Sequence, residues 1–227
     1  MVIPSPTFFG GKSMYFKSGD HKQAGLRYSV FKALVSPRPI GWISTIDENG
    51  IANLAPYSFF NAVSELPPMV MFVSAPDARK QVDPKNHHAK DSLANIRQTK
   101  EFGVNIASEA QIQAMVASSA ILPAEEDEFI AAGLEKMTAN DIAVPLVKGA
   151  PAHFECRLHD MIELPGTQSR AGCVMVIGHV VSTHIDDRYI QDGKVDVTKY
   201  RPVSRLGYKD YSVVEHVFEI EAGLNPS

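Results

Sequence analysis

From Pro39 to Asp47 the sequence PIGWISTID alternates, with Ile40, Trp42, Ser44 and Ile46 on one face and Ile43 and Thr45 on the other, the period of a strand. Asn49-Gly50 follows, a pair that favours a type I′ hairpin, and the chain returns through IANLA at 51–55. The apolar run MVMFVSA (69–75) predicts a further strand, as does EFGVNIA (101–107). HFECRLHDMIEL (153–164) alternates, with Phe154, Cys156 and Leu158 facing one way and His153, Glu155, Arg157 and His159 the other. CVMVIGHVVSTHI (173–185) reads as a longer, more buried strand. Helical spacing occurs twice: Leu93 and Ile96 follow Asp91, a residue able to cap a short helix, and Ile112, Met115 and Val116 share a face within 109–119. Residues 1–29 carry neither period and read as an arm; one domain is expected over 30–220, with a short tail at 221–227. Many strands with a few short helices predict a mainly β protein, an antiparallel barrel carrying helical insertions.

Composition narrows the class. A chain of 227 residues can bury roughly 70–75% of its unfolded surface as one domain. With 26 acids against 22 bases the net charge is −4, so no general attraction to nucleic acid or to an anionic membrane is expected. No apolar stretch reaches the roughly 18 residues of a spanning helix, and no secretory h-region opens the chain. Cys156 and Cys173 make no disulfide framework, which points to a reducing compartment and a cytoplasmic protein.

Several familiar chemistries are absent. The GGKS at 10–13 lacks the first glycine of a phosphate-binding P-loop, where Pro6 stands, and lacks a strand before it. There is no Gly-x-Gly-x-x-Gly dinucleotide fingerprint and no Gly-x-Ser-x-Gly elbow, and both cysteines read as inert core residues. The histidines do not make a metal site by spacing: His153 and His159 lie about 20 Å apart along one strand, His179 and His184 point to opposite faces, and His87-His88 sits in a polar loop with no acid or thiol at a ligand spacing. They are expected at surfaces or interfaces.

What remains is polar material in two places: SPRPIGWIST followed by NLAPYSFFNAVS, and KDSLANI. The prolines leave backbone N–H groups without ladder partners, Ser44, Thr45 and Ser58 add hydroxyls, and Arg38 and Lys90 add charge. The helix start at Asp91 and Ser92 adds its dipole, and Trp42, Tyr57, Phe59 and Phe60 offer flat surfaces. Two readings stand at this point: hairpin turns over a packed aromatic core, or a cradle for a flat, polar, phosphorylated ligand. No acid–base pair stands out, which favours chemistry carried by a cofactor.

Five segments in order, FKALVSPRPIGWIST, NLAPYSFFNAVSELPPMVMF, KDSLANI, EFGVNIAS and RLGYKDYSVV, resemble the flavin reductase-like, FMN-binding split-barrel family, in its flavoredoxin-like branch. The likeness runs from about Met14 to Ile220. It implies a six-stranded antiparallel split β-barrel of Greek-key character, forming a homodimer with FMN at the interface. Carried onto this chain, it assigns flavin contact to Arg38, Trp42, Ile43, Ser44 and Thr45, to Asn53, Leu54, Ala55, Pro56, Tyr57, Ser58, Phe59 and Phe60, and to Lys90, Asp91 and Ser92. Ser44, Thr45, Ser58, Lys90 and Ser92 would hold the phosphate and ribityl chain, and Tyr208 would close the site. The loop 76–89 is longer than the family leads one to expect, and residues 1–13 precede its usual start.

The resemblance implies an oxidoreductase that takes electrons from NADH or NADPH through FMN to an acceptor, which could be a partner protein or a monooxygenase, with no catalytic side chain and no metal. The alternatives are a flavoredoxin-type electron carrier that shows no appreciable NAD(P)H oxidation, and an FMN-binding module without turnover. The pyridoxamine-phosphate oxidase relatives match the motifs less well.

Overall fold

The computed structural model describes residues 13–76, 90–120, 122–123, 126–167 and 171–220. Most of the GGKS stretch, nearly all of the loop 76–89 with His87-His88, and the tail 221–227 lie outside the described residues. Residues 13–29 hold turns and no strand.

One antiparallel sheet dominates. Its strands are β1 (Gly41–Ile46), β2 (Ala52–Tyr57), β3 (Phe60–Glu65), β4 (Pro68–Ser74), β5 (Glu101–Ile106), β6 (Ala152–Glu163) and β7 (Val174–Ile185). They lie in the order β2-β1-β5-β6-β7-β4-β3. The sheet therefore has seven strands where six were expected. The added one is β3, in a stretch too rich in amides and hydroxyls to read as a strand.

This order dictates the shape. β2 and β3 are joined only by Ser58 and Phe59, yet they form opposite edges of the sheet. A two-residue link cannot span an open sheet of this width at about 4.8 Å per strand. The sheet must curl until its edges stand side by side, and the seam between them makes it a split barrel. Phe60 seals that seam over Gly41, where any Cβ would run into the Phe60 ring. Val73 N–H donates to Phe59 O (2.9 Å), fixing the linking turn to β4.

The barrel interior collects the odd-numbered residues of β1 and β2: Ile43 and Tyr57 pack with Phe72, Phe102, Val104, Cys156 and Val176. Helix α1 (Asp91–Thr99) closes this core with Leu93 and Ile96. The even-numbered residues Ile40, Trp42, Ala52 and Leu54 build a second core outside the sheet, with Met115 of α2 (Ile112–Ala117) and Phe129 of α3 (Glu128–Ala131). Trp42 is fully buried and donates Nε1–H to Ser118 Oγ (2.9 Å). β8 (Val203–Arg205) pairs with Arg38–Pro39 and with β9 (Tyr211–Val213), which brings the C-terminal segment back to the start of β1.

Three local expectations change. The hairpin at Asn49-Gly50 forms, but only Gly50 has a positive φ (84°), so the turn is not type I′; the Asp47 carboxylate shapes it by accepting from the N–H groups of Asn49 and Ile51. Asp91 is the first helical residue rather than the cap, which is Lys90, with no side-chain capping bond. The histidines of β6 and β7 meet across strands. His153 is buried, its Nε2 on Val147 O (2.7 Å), and His184 Nε2 meets the fully buried Glu155 Oε1 (2.5 Å). At the β-bulge where His159 is skipped in the ladder, His179 Nε2 lies 3.0 Å from His159 Nδ1.

Gly178 of β7 sits between Leu158 of β6 and Val70 of β4, and a Cβ there would strike the buried Phe102 ring. With the backbone fixed on both sides, Gly178→Ala is expected to destabilise the barrel by about 1–3 kcal/mol, read as a lower thermal midpoint.

Candidate functional site

β2 pairs with β1 on one side only. On its outer side Leu54 N–H donates to Glu128 Oε2 (3.3 Å), while Asn53 Nδ2 donates to Glu128 Oε1 (2.7 Å). Pro56, two residues on from Leu54, shares that outer side and has no N–H to satisfy, which suits an edge strand. The sequence led to an expectation of backbone N–H groups without ladder partners in the proline-bracketed segments. The structure confines them to one edge of a strand and covers one of them with a carboxylate.

Glu128 is buried, and burial pushes its carboxyl above the usual range; the charge of Asp91 adds to this, while bonds from Asn53 and Leu54 oppose it. From Asn53 a polar network runs inward: its Oδ1 accepts from Ser92 Oγ (2.7 Å) and Thr45 Oγ1 (3.4 Å), and Thr45 Oγ1 accepts from Asn95 Nδ2 (3.1 Å). The network clamps α1 to β1 and β2. The Tyr57 hydroxyl is buried close to Ser74 and Ser92 without closing a hydrogen bond of good geometry, and burial raises its pKa.

Two pockets adjoin along the β2 edge, sharing Pro56 and Ser119 as a common wall. The first is lined by Asn53, Ala55, Tyr57, Lys90, Asp91, Ser92 and Glu128. Lys90 Nζ lies 5.6 Å from the Tyr57 ring centroid, and among the described residues it has no carboxylate partner. The second is lined by Lys32, Arg38, Ser58, Arg205, Tyr208 and Tyr211. An apolar hollow beyond it is lined by Phe31, Val35, Phe59 and Phe60.

Of the residues assigned to flavin contact, the structure brings Asn53, Ala55, Pro56, Tyr57, Lys90, Asp91 and Ser92 to the first pocket, Arg38, Ser58 and Tyr208 to the second, and Phe59 and Phe60 to the hollow. Tyr208 holds a positive φ (57°) and its ring meets Tyr28 at 5.6 Å. Trp42, Ile43, Ser44 and Thr45 line none of these three cavities and are fully buried, because β1 lies between two strands with a core on each face. The Ser44 hydroxyl accepts from Asn105 Nδ2 (3.3 Å). The Leu54 side chain is also core, leaving only its main chain at the edge. The Arg38 guanidinium donates to the carbonyls of Lys32, Val35 and Leu206.

Sequence reasoning missed Glu128, Lys32, Arg205, Ser119 and Tyr211. Arg205 and Tyr211 were within reach, because they flank Tyr208 in the quoted RLGYKDY. Glu128 opens α3, in a stretch whose sequence reads as an acid-rich loop and carries no ligand signature. Among the described residues no group of three or more His, Cys, Asp and Glu side chains gathers as metal ligands, and no helix is long and apolar enough to cross a membrane.

Comparison with known proteins gives this antiparallel split barrel a family. The family model described as flavin reductase like domain matches residues 34–203. An uncharacterised protein of Aquifex aeolicus is 36% identical over 186 residues, covering 81% of this chain and 88% of its own. Among solved structures, nitrilotriacetate monooxygenase component B from Bacillus cereus superposes with TM-score 0.77 at 28% identity, covering 95% of this chain and 100% of its own. The 2-nitrobenzoate 2-nitroreductase of Pseudomonas fluorescens gives 0.71 at 28% identity, covering 87% and 91%. Flavoredoxin of Desulfovibrio vulgaris shares the fold (TM-score 0.67, 20% identity, 87% and 98% covered). This chain belongs to the flavin reductase-like, split-barrel family.

Proposed function

We propose that this protein binds FMN along the open edge of β2 and passes electrons from NADH or NADPH through it to an acceptor. The observation that carries the reading is the meeting of Lys90, the N-terminus of α1 and the outer edge of β2 in one pocket. A helix start with a cation beside it suits a phosphate, and main-chain groups of an edge strand suit the polar rim of a flavin ring. Two features of the chain fit such a group: Lys90 lacks a carboxylate partner among the described residues, and the buried Tyr57 hydroxyl beside the pocket lacks a hydrogen bond.

Bound FMN would supply the redox chemistry, taking up a hydride from the nicotinamide and passing two electrons on. The chain's own work is to bind and to orient. Lys90 and the first amides of α1 hold the phosphate. Asn53 to Tyr57 present the strand edge to the ring, with Asn53 locked in place by Glu128 and Ser92. No side-chain acid is needed for hydride transfer.

The acceptor reading draws on the likeness to a monooxygenase component B, which supports a monooxygenase as partner. A homodimer with the flavin at its interface is the proposed assembly, supported by the exposed Phe31, Leu34 and Val35 next to the groove. A cytoplasmic location agrees with two unpaired cysteines. The test is fluorescence titration of FMN into the flavin-free protein. Saturable quenching near one FMN per chain supports the site, and absence of quenching rejects it.

A further inference from the structure

We propose that the second pocket, lined by Lys32, Arg38, Ser58, Arg205, Tyr208 and Tyr211, is a separate site for the phosphate-bearing part of the nucleotide co-substrate. Its lining holds three cationic side chains and no carboxylate, whereas Asp91 and Glu128 line the first pocket beside Lys90. Among the described residues none of the three cations is ion-paired. Arg38 is 5% exposed, and its Nε is buried without a hydrogen-bond partner although both Nη atoms are engaged.

Arg205 is held for the same task. Its guanidinium carbon lies 4.3 Å from the Tyr211 ring centroid, and Nη2 donates to Tyr208 O (2.6 Å). The positive charge of Arg205, after burial, lowers the pKa of Arg38, so two like charges are kept within interaction range with no acid among the lining residues to offset them. The Ser58 hydroxyl makes no hydrogen bond to any described residue. Converging cations with a free hydroxyl suit a phosphate dianion better than a single carboxylate, and the exposed Tyr208 ring offers a flat partner to a base. The cavity measures about 230 Å³ and shares Pro56 and Ser119 with the first pocket, so a ligand held there reaches the flavin groove.

The identity of the ligand rests on the flavin reading; binding of an anion does not. The test is calorimetric titration of the FMN-loaded protein with NADP⁺, which cannot donate a hydride, and with sodium pyrophosphate as competitor. Lys32 is exposed, so Lys32→Gln is expected to fold normally. Both Lys32→Gln and Arg205→Gln are expected to weaken NADP⁺ by about tenfold or more, with FMN affinity within about twofold of wild type on the same charge accounting. Unchanged NADP⁺ affinity in both variants overturns the proposal. So does a parallel loss of FMN affinity, which would make this the flavin phosphate site, and so does competition by benzoate stronger than by pyrophosphate. If no FMN binds at all but pyrophosphate still binds saturably and is lost in both variants, the anion site stands and the flavin reading falls.

Discussion

Replacing Lys90 by alanine is expected to weaken FMN by one to two orders of magnitude, the equivalent of about 1.5–3 kcal/mol for a charge-assisted bond to phosphate. The fold should hardly notice. Lys90 is exposed and precedes α1 without capping it through its side chain, and the one contact described for that side chain is with the Tyr57 ring. Loss of that cation–π contact costs about 0.5–1 kcal/mol at an exposed site. Fluorescence titration with FMN, paired with a thermal melt, separates the two effects. Wild-type affinity in the variant would move the phosphate away from α1.

The largest loss of stability is expected from Glu155→Ala. Glu155 is fully buried in β6, and its carboxylate accepts from the N–H groups of Asn140 (2.8 Å), Asp141 (2.6 Å) and Ile142 (3.1 Å) and meets His184 Nε2. One side chain therefore ties a loop and a strand to the barrel. Its removal leaves one buried and two half-buried N–H groups without their acceptor, strips His184 of its partner and should cost about 3–5 kcal/mol, or roughly 10 °C in thermal midpoint for a domain of this size.

The same site gives a pH dependence of stability. Burial works against ionisation of Glu155, but the bonds from Asn140, His184 and Asp141 together outweigh it, and the carboxyl sits below its ordinary value. A depressed carboxyl stabilises the fold above its unfolded value and loses that contribution as pH falls through the folded one. His153 adds to this: burial lowers its pKa from 6.5, so below that pH the unfolded chain takes up the proton more readily than the native one. Both act in one direction. The thermal midpoint should fall as pH drops below about 6.5 and fall further below the ordinary carboxylate range. In Glu155→Ala the second, more acidic part of that decline should shrink.

Much of the fold was legible because both cores leave a period-2 trace. Ile40, Trp42 and Ile43 alternate between two buried faces, and Phe154, Cys156 and Leu158 face the barrel interior as their spacing requires. β3 was not legible, because a strand at the rim of a split barrel is largely exposed and tolerates Asn61 and Ser64. The histidine contacts were missed for a related reason: spacing along one strand says nothing about which residues a neighbouring strand brings alongside, and a bulge resets the register beside His159. At the site, motif order located the β2 edge and the start of α1. It could not show that Ser44 and Thr45 spend their hydroxyls on Asn105, Asn53 and Asn95, nor that Lys32 and Arg205, distant in sequence, converge on one pocket.

Binding of FMN in this barrel and its reduction by a nicotinamide nucleotide are read out together by one experiment. The most direct measurement is the visible spectrum of the FMN-loaded protein under anaerobic conditions, before and after NADH or NADPH. The bands of a bound, oxidised flavin are expected, and their loss on addition of at least one of the two donors. A spectrum indistinguishable from free FMN, or a bound flavin that neither donor bleaches, would contradict it.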